Sequence, residues 1–387
     1  MKLEATLQYR CANTKATGKR QISVMASRSF CTEDAAYKRA ATAKEDEMNS
    51  RQRQLRIKVS FVLVLAALIT AGSIRPANCA PPNFGSPSVS VLASGLQGTL
   101  GSTVGPDGAL YVVEGTLGQI ARVDPRTGKI STFASGLPQT LSSVGIGGPT
   151  DVAFIGRTAY VLVTLVSSDL GGNSIDGIYR MDGPNHFTVI ADIGQFNLNN
   201  PPTIPFPFFV DTGVLYAMQP YRGGFLVTDG HLNRVLSVTL GGKISVVEAF
   251  DDIVPTGLTV VLGDIVFMAE AGPVPHLPQD GKIVAFRPNS ANVAEVASGA
   301  SLLVDVKFGL DGRLYALSQG PGVPGAAPGS PAQPNSGALV RANLDGTFTF
   351  LVDNINLPTS LNFIGNTAYI VTLTGDVLKV NDVFNFF

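Results

Sequence analysis

The sequence predicts an all-β fold, a six-bladed β-propeller whose last blade is closed by the N-terminal strand of the mature domain. Three observations predict it. A short strand phrase recurs six times: Leu110-Tyr111-Val112-Val113, Ala159-Tyr160-Val161-Leu162, Phe225-Leu226-Val227, Val266-Phe267-Met268, Leu314-Tyr315-Ala316-Leu317 and Ala368-Tyr369-Ile370-Val371. From Tyr111 to Tyr369 the mean spacing is about 52 residues, which suits a four-stranded blade of the longer kind. Finally, 42 glycines and 25 prolines fall between short runs of β-branched and aromatic residues, the punctuation of strands and tight turns.

Each unit reads as four strands in order. A first strand leads into a tight turn such as Gly105-Pro106-Asp107-Gly108, Leu310-Asp311-Gly312 or Gly365-Asn366, where glycine and asparagine supply the positive φ that a hairpin needs. The recurring phrase is the second strand. Third strands follow at Gly118-Gln119-Ile120-Ala121-Arg122, Gly177-Ile178-Tyr179-Arg180, Gly281-Lys282-Ile283-Val284, Gly337-Ala338-Leu339-Val340-Arg341 and Gly375-Asp376-Val377-Leu378-Lys379. Fourth strands are legible at Lys129-Ile130-Ser131-Thr132-Phe133, Lys243-Ile244-Ser245-Val246-Val247 and Thr347-Phe348-Thr349-Phe350-Leu351. The sixth unit ends after its third strand, near Asp382. Its missing strand is predicted at the other end of the domain, because Ser88-Val89-Ser90-Val91-Leu92-Ala93-Ser94-Gly95-Leu96 matches Lys129-Ile130-Ser131-Thr132-Phe133-Ala134-Ser135-Gly136-Leu137. Pairing the two chain ends removes an open seam and an exposed edge.

Charge divides the chain. Residues 1–80 carry 14 Lys and Arg against 6 Asp and Glu, whereas residues 81–387 carry 14 against 23. An acidic globular part lacks the cationic face that nucleic-acid binding requires. Arg51, Arg53, Arg56 and Lys58 precede the apolar run Val59 to Ala71, and small residues around Ala77-Asn78-Cys79-Ala80 follow, so residues 48–80 read as a secretory signal peptide. The run is too short to cross a bilayer, which takes roughly 20 residues, and cleavage leaves no membrane span. Residues 1–47 read as a poorly structured extension or a start assigned too early, with Met48 as the alternative start. Residues 81–387 form the propeller, exported to the periplasm or secreted. The three cysteines, Cys11, Cys31 and Cys79, all lie before it, so packing and ring closure rather than disulfides hold it together.

In such a blade the link between strands two and three and the link to the next blade emerge on one face. The long connections Leu165–Asp176, Phe196–Thr212, Ala271–Asp280 and Gly320–Gly337 gather there, which marks it as the functional face. The ends of the second strands read Glu114, Val163, Asp229, Glu270, Ser318 and Thr372, and the first strands add Asp151 and Asp305 in the matching phrases Asp151-Val152-Ala153-Phe154 and Asp305-Val306-Lys307-Phe308. Carboxylates converging on a channel mouth need a proton, an arginine or a cation such as Ca²⁺, so Glu114, Asp229 and Glu270 are candidate metal ligands. The alternative is that these side chains accept bonds from backbone N–H groups at strand ends. His276, in a loop stiffened by Pro273, Pro275 and Pro278, is a candidate catalytic base or ligand, and His231 is a further channel-mouth candidate in a turn that Asp229 and Asn233 cap. The chain has no G-x-S-x-G, H-E-x-x-H, Walker or CxxC motif. Phe384, Phe386 and Phe387 at the C-terminus are expected to pack beneath the closed blade.

With the repeats aligned, residues 88–380 resemble the ScyD/ScyE family of exported propellers, which are related in architecture to NHL-repeat proteins. The phrases that carry the resemblance are Gly105-Pro106-Asp107-Gly108-Ala109-Leu110-Tyr111-Val112-Val113-Glu114, Gly148-Pro149-Thr150-Asp151-Val152-Ala153-Phe154, Val227-Thr228-Asp229-Gly230-His231-Leu232-Asn233-Arg234-Val235 and Val254-Pro255-Thr256-Gly257-Leu258. The resemblance implies an extracytoplasmic role and supplies no catalytic residues. Three functions stay open: a protein that binds a small molecule or partner on the long-loop face, a metal-dependent enzyme (a lactonase-like hydrolase or an oxidative coupling enzyme), and a protein-interaction scaffold.

Overall fold

The computed structural model describes residues 87–384 apart from 204–209, 274–275, 291 and 327–328. The extension at residues 1–47, the signal peptide at 48–80, the three cysteines, and Phe386 and Phe387 lie outside the described residues.

Six antiparallel four-stranded sheets form a ring. The chain opens with β1 (Ser88–Ala93), whose place in the ring comes last. Blade one is β2 (Thr99–Val104), β3 (Leu110–Glu114), β4 (Gln119–Val123) and β5 (Ile130–Ala134). Blade two is β6 (Gly148–Ile155), β7 (Thr158–Thr164), β8 (Gly177–Gly183) and β9 (His186–Asp192). A short helix, α1 (Ile193–Asn199), leads toward blade three, which is β10 (Leu215–Tyr221), β11 (Gly224–Asp229), β12 (Arg234–Thr239) and β13 (Ile244–Ala249). Blade four is β14 (Pro255–Val261), β15 (Ile265–Glu270), β16 (Lys282–Phe286) and β17 (Val293–Ser298). Blade five is β18 (Leu303–Phe308), β19 (Leu314–Ser318), β20 (Gly337–Ala342) and β21 (Phe348–Ile355), and blade six begins with β22 (Pro358–Ile364), β23 (Thr367–Thr372) and β24 (Val377–Asn381).

The second strands were the most legible because of where they sit. Each is covered on both sides by neighbouring blades, so β3, β11 and β19 are buried along their whole length and read as unbroken apolar runs. The outer strands β1 and β5 are exposed over most of theirs and carry serine and threonine. Blade six closes as expected: β1 pairs antiparallel with β24, Ser88 opposite Asn381 and Val89 opposite Val380.

The blades are joined by aromatic seams. Tyr111 of β3 meets Phe154 of β6 edge-on at 4.8 Å, Phe267 of β15 meets Phe308 of β18 at 5.1 Å, and Tyr315 of β19 meets Phe363 of β22 at 5.3 Å. The C-terminal Phe384 enters the last of these seams, 5.4 Å from Tyr315 and 5.0 Å from Phe363. Its amide is fixed by Asn366 Oδ1 at 2.6 Å.

Every first strand carries a register shift at the same level, as between Pro149 and Asp151 or between Leu303 and Asp305. A bulge turns side chains out of the regular alternation, and here it aims them at the next blade. Thr150, Thr256 and Thr359 donate to the carbonyls of Leu215, Leu303 and Leu100 at 3.2, 2.7 and 2.7 Å. Asp151 and Asp305 sit one residue further on and accept from the next blade's amides. Gly101 and Gly257 hold the matching positions one blade earlier, where a Cβ would come within 2.5 Å of the Asp151 and Asp305 carboxylates.

Candidate functional site

The inner strands and the long loops enclose one cavity of about 870 Å³. All four long connections reach it, through Leu165 and Leu170, Val210, Ala271 and His276, and Gly329 to Pro331. Near the loops its wall is apolar. Val254 and Leu302, each directly before a first strand, adopt left-handed backbone at φ 51° and 45°, and Leu165 does so at 59°. Such backbone costs a branched or bulky residue of order 1 kcal/mol or more, and it holds three aliphatic side chains against the cavity.

A polar belt crosses the inner strands. Asp151 Oδ1 accepts the amide of Val152 at 2.8 Å and Oδ2 that of Met218 at 2.7 Å. Asp305 repeats the arrangement with Val306 and Leu361, both at 2.8 Å. The Lys307 ammonium donates to Asp305 Oδ1 at 2.7 Å. Burial pushes the Asp151 carboxyl up to about 7, although the two amides and the Lys307 charge oppose it. Tyr216 also lines the cavity. Burial, and after it the charges of Asp305 and Asp151, raise its hydroxyl above the ordinary tyrosine range, so it keeps its proton.

Of the residues expected from sequence, the structure brings Asp151, Asp305, His231 and His276 to this cavity. His276 is 8% exposed, and its Nδ1–H donates to the Gly272 carbonyl at 2.8 Å. In the neutral ring this makes Nε2 the acceptor, and it has no partner among the described residues. His231 Nε2 accepts the Val210 amide at 3.2 Å, tying the turn after β11 to the link that enters blade three.

Glu114, Asp229 and Glu270 sit at their strand ends outside the cavity wall and are not gathered. Among the described residues no three His, Cys, Asp or Glu side chains are placed to hold a metal ion. Glu114 accepts from the Gln97 amide at 3.0 Å and from Gln119 Nε2 at 2.7 Å. Asp229 is fully buried and accepts from Asn197 Nδ2 at 2.7 Å, Leu232 N at 3.0 Å and Val214 N at 3.1 Å, while burial raises its pKa. Arg234 completes this network by donating to Asn197 Oδ1 at 2.8 Å and to the Asn200 carbonyl at 2.7 Å. Glu270 is buried, makes no hydrogen bond among the described residues and faces Lys282 across the ladder, but the Lys282 ammonium is held by Glu295 at 3.0 Å. Burial therefore pushes Glu270 up to about 7.

Three features escaped the sequence reading. Tyr216 and Lys307 stand in first strands, where inward and stitching positions cannot be told apart until the bulge is seen. Helix α1 had a signal: Asp192 caps it by accepting the Gln195 amide at 2.8 Å, and Asp-x-x-Gln is a capping pattern.

No known family's sequence profile matches the chain, and no curated protein matches it in sequence. The fold is similar to a gluconolactonase from Xanthomonas campestris at 12% identity and a TM-score of 0.51, over 80% of this chain and 98% of that one. It is similar to the PQQ-bound aldose sugar dehydrogenase of Streptomyces coelicolor at 14% identity and 0.50, over 78% and 99%. A virginiamycin B lyase from Staphylococcus aureus aligns at 14% identity and 0.45, over 76% and 99%. These likenesses are of fold alone, and the fold is that of the six-bladed β-propeller.

Proposed function

We propose that this chain is an exported propeller of ScyD/ScyE type that binds a small molecule in the cavity on its long-loop face. The observation that carries the reading is the cavity itself. Its volume of about 870 Å³ is that of a small-molecule pocket, typically about 300–1,000 Å³, and apolar walls with a few placed polar groups are what such pockets have. The strained Leu165, Val254 and Leu302 support it, because conformational cost is kept where function needs a side chain aimed. Uptake of the neutral dye Nile red tests the reading. Saturable binding of one dye per chain that Ala217→Phe abolishes supports it, and dye uptake that is absent or indifferent to filling the cavity overturns it. Export is tested by sequencing the N-terminus of the chain recovered outside the cytoplasm: a start near residue 81 supports it, and a start at Met1 or Met48 overturns it.

A second reading is favoured by His276 Nε2, a lone pair on a buried ring in the cavity wall. In a hydrolase of lactonase-like class, metal-assisted or not, His276 would take the proton of an attacking water. Lactone hydrolysis lost in His276→Leu would support this reading, and its loss on chelation would make the activity metal-dependent.

A further inference from the structure

The equivalent positions around the ring assign roles to the hydroxyls of the cavity wall. In blades two, four and six the bulge residue is Thr150, Thr256 or Thr359, and each hydroxyl is spent on the next blade's backbone at 3.2, 2.7 or 2.7 Å. Blades one and five place Leu100 and Val304 there, whose apolar side chains can make no such hydrogen bond. Blade three places Tyr216, the one aromatic of the set, and its hydroxyl has no hydrogen bond among the described residues. The hydroxyl is therefore not part of the ring's construction. It remains a donor, because burial and the neighbouring Asp305 and Asp151 charges keep the phenol protonated.

His276 is the complementary case. Its left-handed backbone at φ 57° is a conformation few non-glycine residues adopt, and the Gly272 carbonyl fixes the ring by accepting the Nδ1–H hydrogen bond. Nε2 is left as an acceptor in the cavity wall. The charged groups, by contrast, are already answered. Lys307 is paired with Asp305, Asp252 is exposed, and Asp151 gives both oxygens to backbone amides while burial favours its neutral form. A charged ligand in this apolar cavity would lose hydration and find no uncommitted counter-charge.

We infer that the cavity takes a neutral, largely apolar molecule with two polar groups, a carbonyl that accepts from the Tyr216 hydroxyl and a hydroxyl or N–H that donates to His276 Nε2. This rests on the reading of the cavity as a ligand site and specifies what that site selects.

Calorimetric titration with a matched flexible set tests it: methyl 12-hydroxydodecanoate (carbonyl and hydroxyl), methyl dodecanoate (carbonyl alone), 1-dodecanol (hydroxyl alone), and the charged dodecanoate and dodecylammonium ions. The bifunctional ester should bind about tenfold more tightly than either monofunctional probe, about 1.4 kcal/mol for each hydrogen bond, and the ions should bind worst. Tyr216→Phe should erase the advantage of the ester carbonyl and leave that of the hydroxyl. His276→Leu should do the reverse. Should His276→Leu fail to fold, methyl 12-methoxydodecanoate, which lacks the donor, makes the same comparison on the unaltered protein. Probes that bind equally, or a preference that survives both substitutions, overturn this inference and leave the cavity reading standing. Failure of every probe and of Nile red to bind overturns both.

Discussion

The Asp305 carboxylate crosses a blade boundary, accepting the Leu361 amide of the neighbouring inner strand at 2.8 Å while its other oxygen holds Val306 N and the Lys307 ammonium. It is a buried anion whose partners all come from the ring. Asp305→Asn turns an N–H toward the Leu361 amide or toward Lys307 and leaves a buried donor facing a donor. It should lower unfolding stability by about 2–4 kcal/mol in urea titrations. A loss under about 0.5 kcal/mol would show that the stitch does not hold blades five and six together.

Ring closure predicts a second outcome. Strand β1 supplies the outer edge of blade six, and just beyond it Leu96 N donates to the Gly375 carbonyl at 3.1 Å. Deleting residues 81–96 exposes the β24 edge and the apolar surface beneath it. The melting temperature should fall by about 10 °C or more, which for a domain of this size reflects several kcal/mol. An unchanged melting curve would mean that the closure adds nothing to global stability.

The C-terminal wedge is testable in the same way. Phe384 is only 2% exposed, held between Tyr315 and Phe363. Phe384→Ala should cost about 3–5 kcal/mol, the usual penalty for an emptied aromatic site, whereas Phe384→Leu should recover much of it.

Glu270 contributes to stability in a way that favours acid. Its carboxyl ordinarily titrates near 4.5, and burial raises it to about 7 in the folded chain. Below pH 4.5 both folded and unfolded forms hold the proton and nothing is lost. Between about 4.5 and 7 the unfolded chain ionises while the folded one stays neutral, so stability falls as pH rises, and above about 7 the loss is complete and constant. The difference in stability between the native chain and Glu270→Gln should therefore change by roughly 3 kcal/mol across that window, with the variant gaining relative to the native chain as pH increases. A flat difference would show that the carboxyl finds a partner on ionisation.

The candidate site was less legible than the fold. Asp151 and Asp305 stood out because they open matching phrases, and both reach the cavity. Glu114, Asp229 and Glu270 stood out for the same kind of reason, equivalent positions at strand ends. There the repeat gives each carboxylate its own local acceptor role or, for Glu270, a buried position of its own. Equivalence in a repeat places residues at one level of the ring but not toward one point. Tyr216 gave no signal, because a tyrosine in a strand ordinarily packs in a seam, as Tyr111 and Tyr315 do.

The sequence by itself determined the blade count, the strand order and the closure of the ring. These follow from periodicity, turn chemistry and a strand phrase repeated at the two ends of the domain, all of which are local in the chain. Only the tertiary structure decided which polar groups face the cavity. That choice depends on bulges that redirect side chains by one position and on partners as far apart as Asp151 and Met218, or Thr359 and Leu100, whose proximity exists only once the ring has closed.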